Sequence, residues 1–373
     1  MVDGHLGGGW KNGAMPNGSP VLLVIADSSR SGGPEHVLTL ARELSRSGWS
    51  PLVACPPGPL VDRCRRARLA VATFPVSGVG SVLAPGRLRR MGRRWGAVVS
   101  HSHGLRAGAL LRRARLEAPQ VHTHHLDGWF TASRARVALH RSELRALARA
   151  TAVQIAVSRS VARFLTEEVG VDERRVRVVA NGIEPLLLRP RLRPSGRTVA
   201  VLCRLVESKG VDLAVLALAT PAGRALRLKV GGTGPELERL IDLAYSLGVA
   251  DRVDFVGEVL DRDGFFAGSD LAWVPSRAEP FGLSACEAMS SGLPVVASRV
   301  GGLPEILDSP RAGLAVSPAN PAALASVSSA LLDDPVRYAR LANAGAERVR
   351  RHFTSARMAA LTRGVYREAM GAG

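Results

Sequence analysis

Aromatic side chains are scarce in this chain: Phe, Trp and Tyr make up 4% of its 373 residues. Proteins that hold single-stranded nucleic acid stack bases on such rings, so the scarcity argues against nucleic acid as a partner, and no recognition motif for it is present. Cysteine is rarer still. Cys55, Cys64, Cys203 and Cys286 form no CxxC pair and show no zinc spacing. Nothing points to export, which leaves reduced thiols in a cytoplasmic protein as the expectation. No apolar run approaches the ~20 residues of a membrane span. Lysine occurs only at Lys11, Lys209 and Lys229, all other basic residues being arginine. GC-rich coding produces such a bias, and a lysine kept at 209 therefore invites a chemical reason.

What is present describes a soluble globular protein with room for two domains: 46% hydrophobic and 22% charged residues over 373 positions. Residues 1–20, MVDGHLGGGWKNGAMPNGSP, lack the apolar core of a secretion signal and read as a flexible leader. The formal net charge is +18, and it is unevenly spread. Residues 1–184 hold 27 basic against 13 acidic residues, and residues 185–373 hold 23 against 19. The first half therefore carries most of the positive field, which favours an anionic partner such as a phosphorylated metabolite or an acidic lipid.

Short β-branched runs alternate with Ala/Leu/Arg-rich helical stretches. VLLVIAD (21–27), PLVACP (51–56), AVVSHSH (97–103), QVHTHH (120–125) and VQIAVS (153–158) read as buried strands. The pattern restarts with TVAVLCR (198–204), LRLKVGG (226–232), RVDFVG (252–257), LAWVPS (271–276) and PVVAS (294–298). Such alternation means parallel sheets covered on both faces. The chain is thus expected to be α/β, with two Rossmann-like, doubly wound domains facing a central cleft. The boundary falls where Pro and Gly accumulate, in ANGIEPLLLRPRLRPSG (180–196). Domains of 21–184 and 185–350 follow, with a terminal segment of 351–373.

Several loops at strand ends carry candidate chemistry. Gly32-Gly33 opens a helix after the first strand, where backbone N–H groups can approach an anion; a tight turn needing positive φ is the competing reading. Arg204 and Lys209 follow the first strand of the second half, a planar fork and a point charge suited to a diphosphate. Gly257, Glu258, Val259 and Leu260 sit on the loop after another strand, placed for main-chain contact with a base. DRD (261–263) reads as a helix cap rather than a metal site. In VHTHHLDG, His125 lies where the strand ends, and the local spacing gives no warrant for zinc. HSHG, with His103, is a weaker instance of the same kind. EPFGLSACE places Glu279 before a helix and Glu287 about one turn inside it, so the two carboxylates point to different places and do not form a metal pair. Glu287, on a helix of small and apolar residues, wants hydroxyl donors. The N–H groups around Pro280, Phe281, Gly282 and Leu283 are available to phosphate or sugar oxygens.

From about residue 21 to the C-terminus the sequence resembles the retaining glycosyltransferases of family 4, which have the GT-B architecture. The specific part is E-x7-E (Glu279, Glu287) with its PFG turn. Support comes from Arg204 with Lys209, Gly32-Gly33, Thr123-His124-His125, the NGI of residues 181–183 and VGGLPE (300–305). The resemblance implies a nucleotide-diphosphate sugar, UDP or GDP form undecided, as co-substrate, with no metal and no further cofactor. Glu279 would hold donor-sugar hydroxyls, Phe281, Gly282 and Leu283 would offer amides, and Glu287 would bind the ribose. Arg204 and Lys209 would stabilise the departing diphosphate, with Gly32-Gly33 against the phosphates. His125 would lie beside the donor sugar, Val259 and its neighbours would meet the base, and His103 and Asn181 would fall on the acceptor side. The terminal helix is similar to a family segment that packs back on the N-terminal domain. Cys203, Glu184, Pro34 and Ser355 depart from the family's usual Gly, Asp, Ala and Trp, and the Pro34 change makes acceptor identity unsafe to carry over.

The acceptor expected is small and soluble: a phosphorylated cyclitol, an aminocyclitol or a low-molecular-weight thiol. The alternatives are a membrane-surface enzyme acting on a lipid, a catalytically silent nucleotide-sugar-binding module, and a sugar-nucleotide epimerase. PGRLRRMGRRWG (85–96) bears on the lipid reading, because Leu88, Met91 and Trp95 form a stripe among five arginines that leaves open peripheral contact with anionic membrane; a solvated helix face is the competing explanation. Monomer and homodimer both remain open.

Overall fold

The computed structural model describes residues 18–77, 79–126, 128, 133–184 and 192–371. Ser19 and Pro20 already belong to the first strand, so structure begins inside the stretch expected to be leader; the rest of that leader lies outside the described residues. The chain divides into two compact units, residues 1–182 with 355–373, and residues 183–354.

The first unit is a seven-stranded sheet in the order β3-β2-β1-β4-β5-β6-β7, parallel throughout. Its strands are β1 (Ser19–Ile25), β2 (Trp49–Cys55), β3 (Ala70–Thr73), β4 (Val99–His103), β5 (Gln120–His124), β6 (Val153–Ala156) and β7 (Val176–Val178). Side chains alternate faces along a strand, and β1 shows the result. Val21, Leu23 and Ile25 join a core that includes Val37, Leu40 and Leu44 of the Gly32–Arg46 helix, while Leu22 and Val24 join one that includes Leu88 and Leu111. With both faces covered, β1 reads as a continuous apolar run rather than an alternating one. The Ser355–Ala369 helix contacts the Gly32–Arg46 helix and places Met358 and Tyr366 in the first of these cores.

The basic segment 85–96 forms most of the Ala84–Trp95 helix. Leu88 is buried, Met91 and Trp95 pack against the second core, and Trp95 Nε1 donates to the Ser50 carbonyl at 2.8 Å. The apolar stripe that would enter a membrane is thus spent on the domain's own sheet, and Arg87, Arg89, Arg90, Arg93 and Arg94 remain on the outside. Among the described residues, no helix is long and apolar enough to cross a membrane.

The second unit repeats the design with six parallel strands, ordered β10-β9-β8-β11-β12-β13. These are β8 (Thr198–Leu202), β9 (Arg227–Gly231), β10 (Val253–Gly257), β11 (Leu271–Val274), β12 (Val295–Ser298) and β13 (Leu314–Val316). Its core gathers Val199 and Val201 of β8, Trp273 of β11, Val215 and Leu218 of the Val211–Leu218 helix, and Tyr338. In each sheet the strand order reverses once, between β1 and β4 and between β8 and β11. Open parallel sheets bind ligands beyond the carboxyl ends of the strands at that reversal.

Candidate functional site

In the second unit the loops after β8 and β11 meet at the reversal. Arg204 stands just beyond β8 and is exposed; its carbonyl accepts from the Val206 N–H at 3.0 Å, while its side chain has no hydrogen bond or ion pair among the described residues. A short 3-10 turn, Glu207–Lys209, follows and closes on Gly210 at φ +65°. A Cβ there would stand 2.1 Å from the Pro275 carbonyl oxygen, so glycine lets the loop lie flat on the end of β11. Arg277 fastens the two loops: its guanidinium donates to both Asp212 carboxylate oxygens at 2.7 and 2.6 Å, and its backbone N–H donates to the Ser208 carbonyl at 2.8 Å. Lys209 Nζ is thereby brought to Glu279 Oε2 at 2.6 Å, and Ser276 Oγ donates to the same oxygen at 3.3 Å. Glu279 is 8% exposed. Sequence spacing treats Lys209 and Glu279 as separate groups; the fold makes them an ion pair. Beside them, burial pushes the Cys203 thiol up to about 12, Lys209 opposing and Glu279 adding to the shift, so it is a protonated, unreactive thiol at neutral pH.

Pro280, Phe281 and Gly282 turn the chain into the Leu283–Ser290 helix. Gly282 has φ +120°, and the Leu303 side chain would stand 2.7 Å from any Cβ placed there. Gly302 of VGGLPE donates its N–H to the Glu279 carbonyl at 2.9 Å, and a Cβ on Gly302 would strike Pro280 and Phe281. VGGLPE and EPFG are therefore one packed unit, which explains why both carry glycine. The helix start has no side-chain cap, leaving its first N–H groups to another acceptor. Glu287, on the next turn, is buried and paired with Arg262. Arg262 begins a helix capped by Asp261, which accepts from the Gly264 N–H at 3.0 Å, so DRD is a cap as expected from its position. Arg262 and Arg277 carry no signal in local spacing, because their partners lie 25 and 65 residues away on other elements; Ser276 lies three residues before Glu279 on the same loop and was not singled out. At the sheet's other side, Gly257 (φ +72°) ends β10 and accepts from Gly232 N–H at 2.7 Å. Glu258 and Leu260 are exposed there, and Val259 lies over Gly231.

In the first unit, neither Gly32 nor Gly33 has a positive φ, so the tight-turn reading of this pair does not hold. They are the first residues of the Gly32–Arg46 helix, and Pro34, in the first turn, sits where a missing N–H costs nothing. The preceding loop is tied by Asp27, whose carboxylate accepts from the Ser29 N–H at 2.8 Å, the Ser29 hydroxyl at 3.0 Å and the Ser31 hydroxyl at 2.8 Å. Burial works to raise the Asp27 pKa, and these donors outweigh it, for a net lowering.

Along β4 and β5, and at their carboxyl ends beside the Gly32–Arg46 helix, stands a group of histidines. His101 bonds Tyr366 OH at 2.8 Å and Thr123 Oγ1 at 2.7 Å; His122 bonds Ser102 Oγ at 2.8 Å; His124 bonds Gln154 Oε1 at 2.7 Å. Both ring nitrogens of His36 and His103, and Nε2 of His122 and of His125, are buried without a hydrogen bond. The Oδ1 of Asn181, beside His36, is buried without one as well. One buried, unsatisfied polar atom costs about 1–3 kcal/mol. His36 was not singled out by local pattern, although it follows Gly33 by one helical turn. Burial lowers the pKa of all six histidines, to about 4 for His36 and for His124 and well below the usual value for His101, His103, His122 and His125. The spacing of VHTHH gave no metal set, and the three nitrogens that do converge come from three separate elements, with one ligand atom from each within 4.8 Å of the others.

Two parallel-sheet domains of this order, with their polar loops at the strand reversals, define the GT-B class of glycosyltransferase. Residues 30–186 match the family described as Glycosyltransferase Family 4, and residues 189–348 match Glycosyl transferases group 1. The chain is 32% identical over 302 residues to a glycogen synthase of Mycobacterium tuberculosis H37Rv, covering 75% of this chain and 71% of that one. It is 35% identical over 304 residues to a D-inositol 3-phosphate glycosyltransferase of Acidothermus cellulolyticus, covering 73% and 67%. The chain belongs to glycosyltransferase family 4, and it is a transferase. Among solved structures, Anabaena HepE in complex with UDP and glucose superposes with a TM-score of 0.81 at 19% identity, covering 92% of this chain and 98% of that one. Sucrose-phosphate synthase from Thermosynechococcus elongatus gives 0.78 at 22%, covering 95% and 100%.

Proposed function

We propose that this enzyme moves a sugar from a nucleoside-diphosphate sugar to a small, anionic acceptor, with retained anomeric configuration and without a metal at the diphosphate. The observation that carries the reading is the cationic end of β8, where exposed Arg204 stands near an Lys209–Glu279 pair at the strand reversal. Breaking the bond between the anomeric carbon and the diphosphate oxygen leaves the electron pair on the diphosphate and positive charge on the sugar. Arg204, Lys209 and the uncapped N–H groups at Gly282 and Leu283 answer the first charge, the kind of preorganised electrostatic term that dominates such reactions. The acceptor's O, N or S forms the new bond to the anomeric carbon, and its proton leaves with the diphosphate or to solvent.

In this reading Lys209 has one of its three donors on Glu279, the others being directed to the diphosphate, and Glu279 accepts from sugar hydroxyls. Glu287, oriented by Arg262, takes the ribose hydroxyls. The backbone of Gly257, Glu258, Val259 and Leu260 meets the base. Gly32 and Gly33 approach the phosphates, and His125 contacts the sugar. UDP is favoured as the nucleotide, because HepE was solved with UDP.

The acceptor is assigned to the first unit, with His103 and Asn181 among its contacts, and its anionic character rests on the excess of arginine there. The relatives' names differ in acceptor, glycogen for one and inositol phosphate for another, while mannosylfructose-phosphate synthase names a phosphorylated product. Phosphorylated cyclitols come first, ahead of aminocyclitols and thiols. Release of nucleoside diphosphate is to be measured over UDP- and GDP-sugars with these acceptors, with and without chelator, and the product's anomeric configuration read by NMR. Binding of donors with no turnover on any acceptor would reduce the protein to a nucleotide-sugar-binding module, and an inverted product would end the retaining assignment.

A further inference from the structure

We propose that His36, His103 and His125 form a binding site for a divalent transition-metal ion of the zinc class. His103 is the last residue of β4, His125 is the first after β5, and His36 comes from the helix that follows β1. The sheet register sets Ile25 beside His103 and His103 beside Thr123, so the carboxyl ends of three neighbouring strands lie level where the rings meet.

Geometry supports the assignment. The three candidate ligand atoms lie within 4.8 Å of one another. Even if all three separations had that value, their common centre would lie about 2.8 Å from each nitrogen, roughly 0.7 Å beyond a Zn–N bond of ~2.0–2.1 Å. Small ring rotations close that gap. The chemistry agrees as well. Three imidazoles with no carboxylate among them suit zinc, copper or nickel and not magnesium or calcium. Burial keeps the rings neutral near pH 7, which leaves a lone pair on each.

Their surroundings separate these three rings from the other buried histidines. His101 and His124 are hydrogen-bonded and His122 is held through one ring nitrogen, its Nε2 being unsatisfied, whereas His36, His103 and His125 are the three whose ligand atoms converge. His101, held by Tyr366 and Thr123, packs on His103 with ring centroids 4.1 Å apart and steadies it. The Asn181 carboxamide, whose Oδ1 also lacks a hydrogen bond, lies beside His36, and a ring turned towards an ion could take it as the outer partner that zinc-bound histidines use. His36 and His103 are 4% and 2% exposed, and His125 is partly buried. Three histidines with an open fourth position form a ligand set that accepts a water or a small O, N or S ligand. His103 and His125 are also the residues assigned above to the acceptor and the sugar, and with the ion bound such a ligand would meet the ion's open position rather than the rings; Arg204 and Lys209, assigned to the diphosphate, belong to the other unit.

The test uses tag-free, chelator-treated full chain. Co2+ is titrated and its visible d–d absorption followed, and Zn2+ affinity is measured by competition with a chromophoric chelator. One equivalent should bind, with the absorption of a four- or five-coordinate ion and an X-ray absorption edge showing about three imidazole nitrogens. His36→Gln and His103→Gln should each weaken binding at least about tenfold, while His140→Ala, on an exposed helix face, should leave it unchanged. Circular dichroism checks that the variants are folded; if they are not, the wild-type stoichiometry and the edge decide. Absence of saturable binding, an oxygen-only coordination shell, or binding that survives loss of both His36 and His103 would overturn the site.

Discussion

Lys209 and Glu279 stand 70 residues apart in the chain, yet Nζ of the one lies 2.6 Å from Oε2 of the other. The pair bridges the loops after β8 and β11, and both side chains are largely buried, at 24% and 11% exposure. On the proposed reading a lysine at this position has two tasks: it neutralises a buried carboxylate, and it offers its remaining donors to the diphosphate.

Arg204 has only the second task, and the two cations should separate experimentally. Arg204→Ala should lower kcat about 100- to 1000-fold and leave unfolding free energy within about 0.5 kcal/mol of wild type. Lys209→Ala should lose comparable turnover and also about 1–3 kcal/mol of stability, because Glu279 is left buried without its partner. Adding Glu279→Ala to Lys209→Ala should restore most of the stability and none of the activity. Urea unfolding with steady-state rates measures both, and full activity in either single variant would remove the diphosphate role.

Gly210 and Gly257 both have positive φ, at +65° and +72°, but their surroundings differ. An added Cβ at Gly210 meets the Pro275 carbonyl at 2.1 Å, whereas at Gly257 nothing lies within 4 Å. Gly257→Ala should cost about 1 kcal/mol for the backbone alone. Gly210→Ala should cost about 2–3 kcal/mol or more, since the loop must also lift from β11. Equal destabilisation in denaturant melts would show that the close approach at Pro275 is unimportant.

Arg262 reaches Glu287 from a neighbouring helix and orients it. If Glu287 holds the ribose, Arg262→Ala should raise the donor KM about tenfold with kcat nearly intact, the pattern of lost uniform binding. A fall in kcat at unchanged KM would mean that Glu287 acts on the reacting bond instead.

The six inward-facing histidines, His36, His101, His103, His122, His124 and His125, all belong to the first unit. Their folded pKa values lie below the ordinary 6.5, so below that pH the unfolded chain binds more protons and acid favours unfolding. The stabilisation is present above pH 6.5 and is lost as the pH falls towards about 4, by roughly 3 kcal/mol for His36 or His124 alone. The one histidine of the second unit, His352, is exposed. Between pH 6.5 and 4 the first unit should therefore lose stability faster than the second, which hydrogen exchange resolved by unit can follow. Equal sensitivity of the two would contradict the burial of these rings.

Much of this was legible in the chain itself. Ten short runs mark ten of the thirteen strands among the described residues, because strands covered on both faces are mostly apolar, β4 and β5 with their buried His and Ser being the departures. β3, β7 and β13 were missed: they are four, three and three residues long, too short for a run to register, and β7 carries Arg177 at its centre. Glycines at strand ends also showed, since Gly257 and Gly282 hold positive φ and Gly302 lies against Pro280 and Phe281, where a side chain would not fit. The partners of those residues did not show. Lys209 with Glu279, Arg262 with Glu287, and the meeting of His36, His103 and His125 depend on which strands lie side by side at a sheet's reversal. Local periodicity fixes that a segment is a strand and which way its side chains alternate. Neighbour relations between strands are set by the packing of helices over the whole sheet, and only the folded structure decides them.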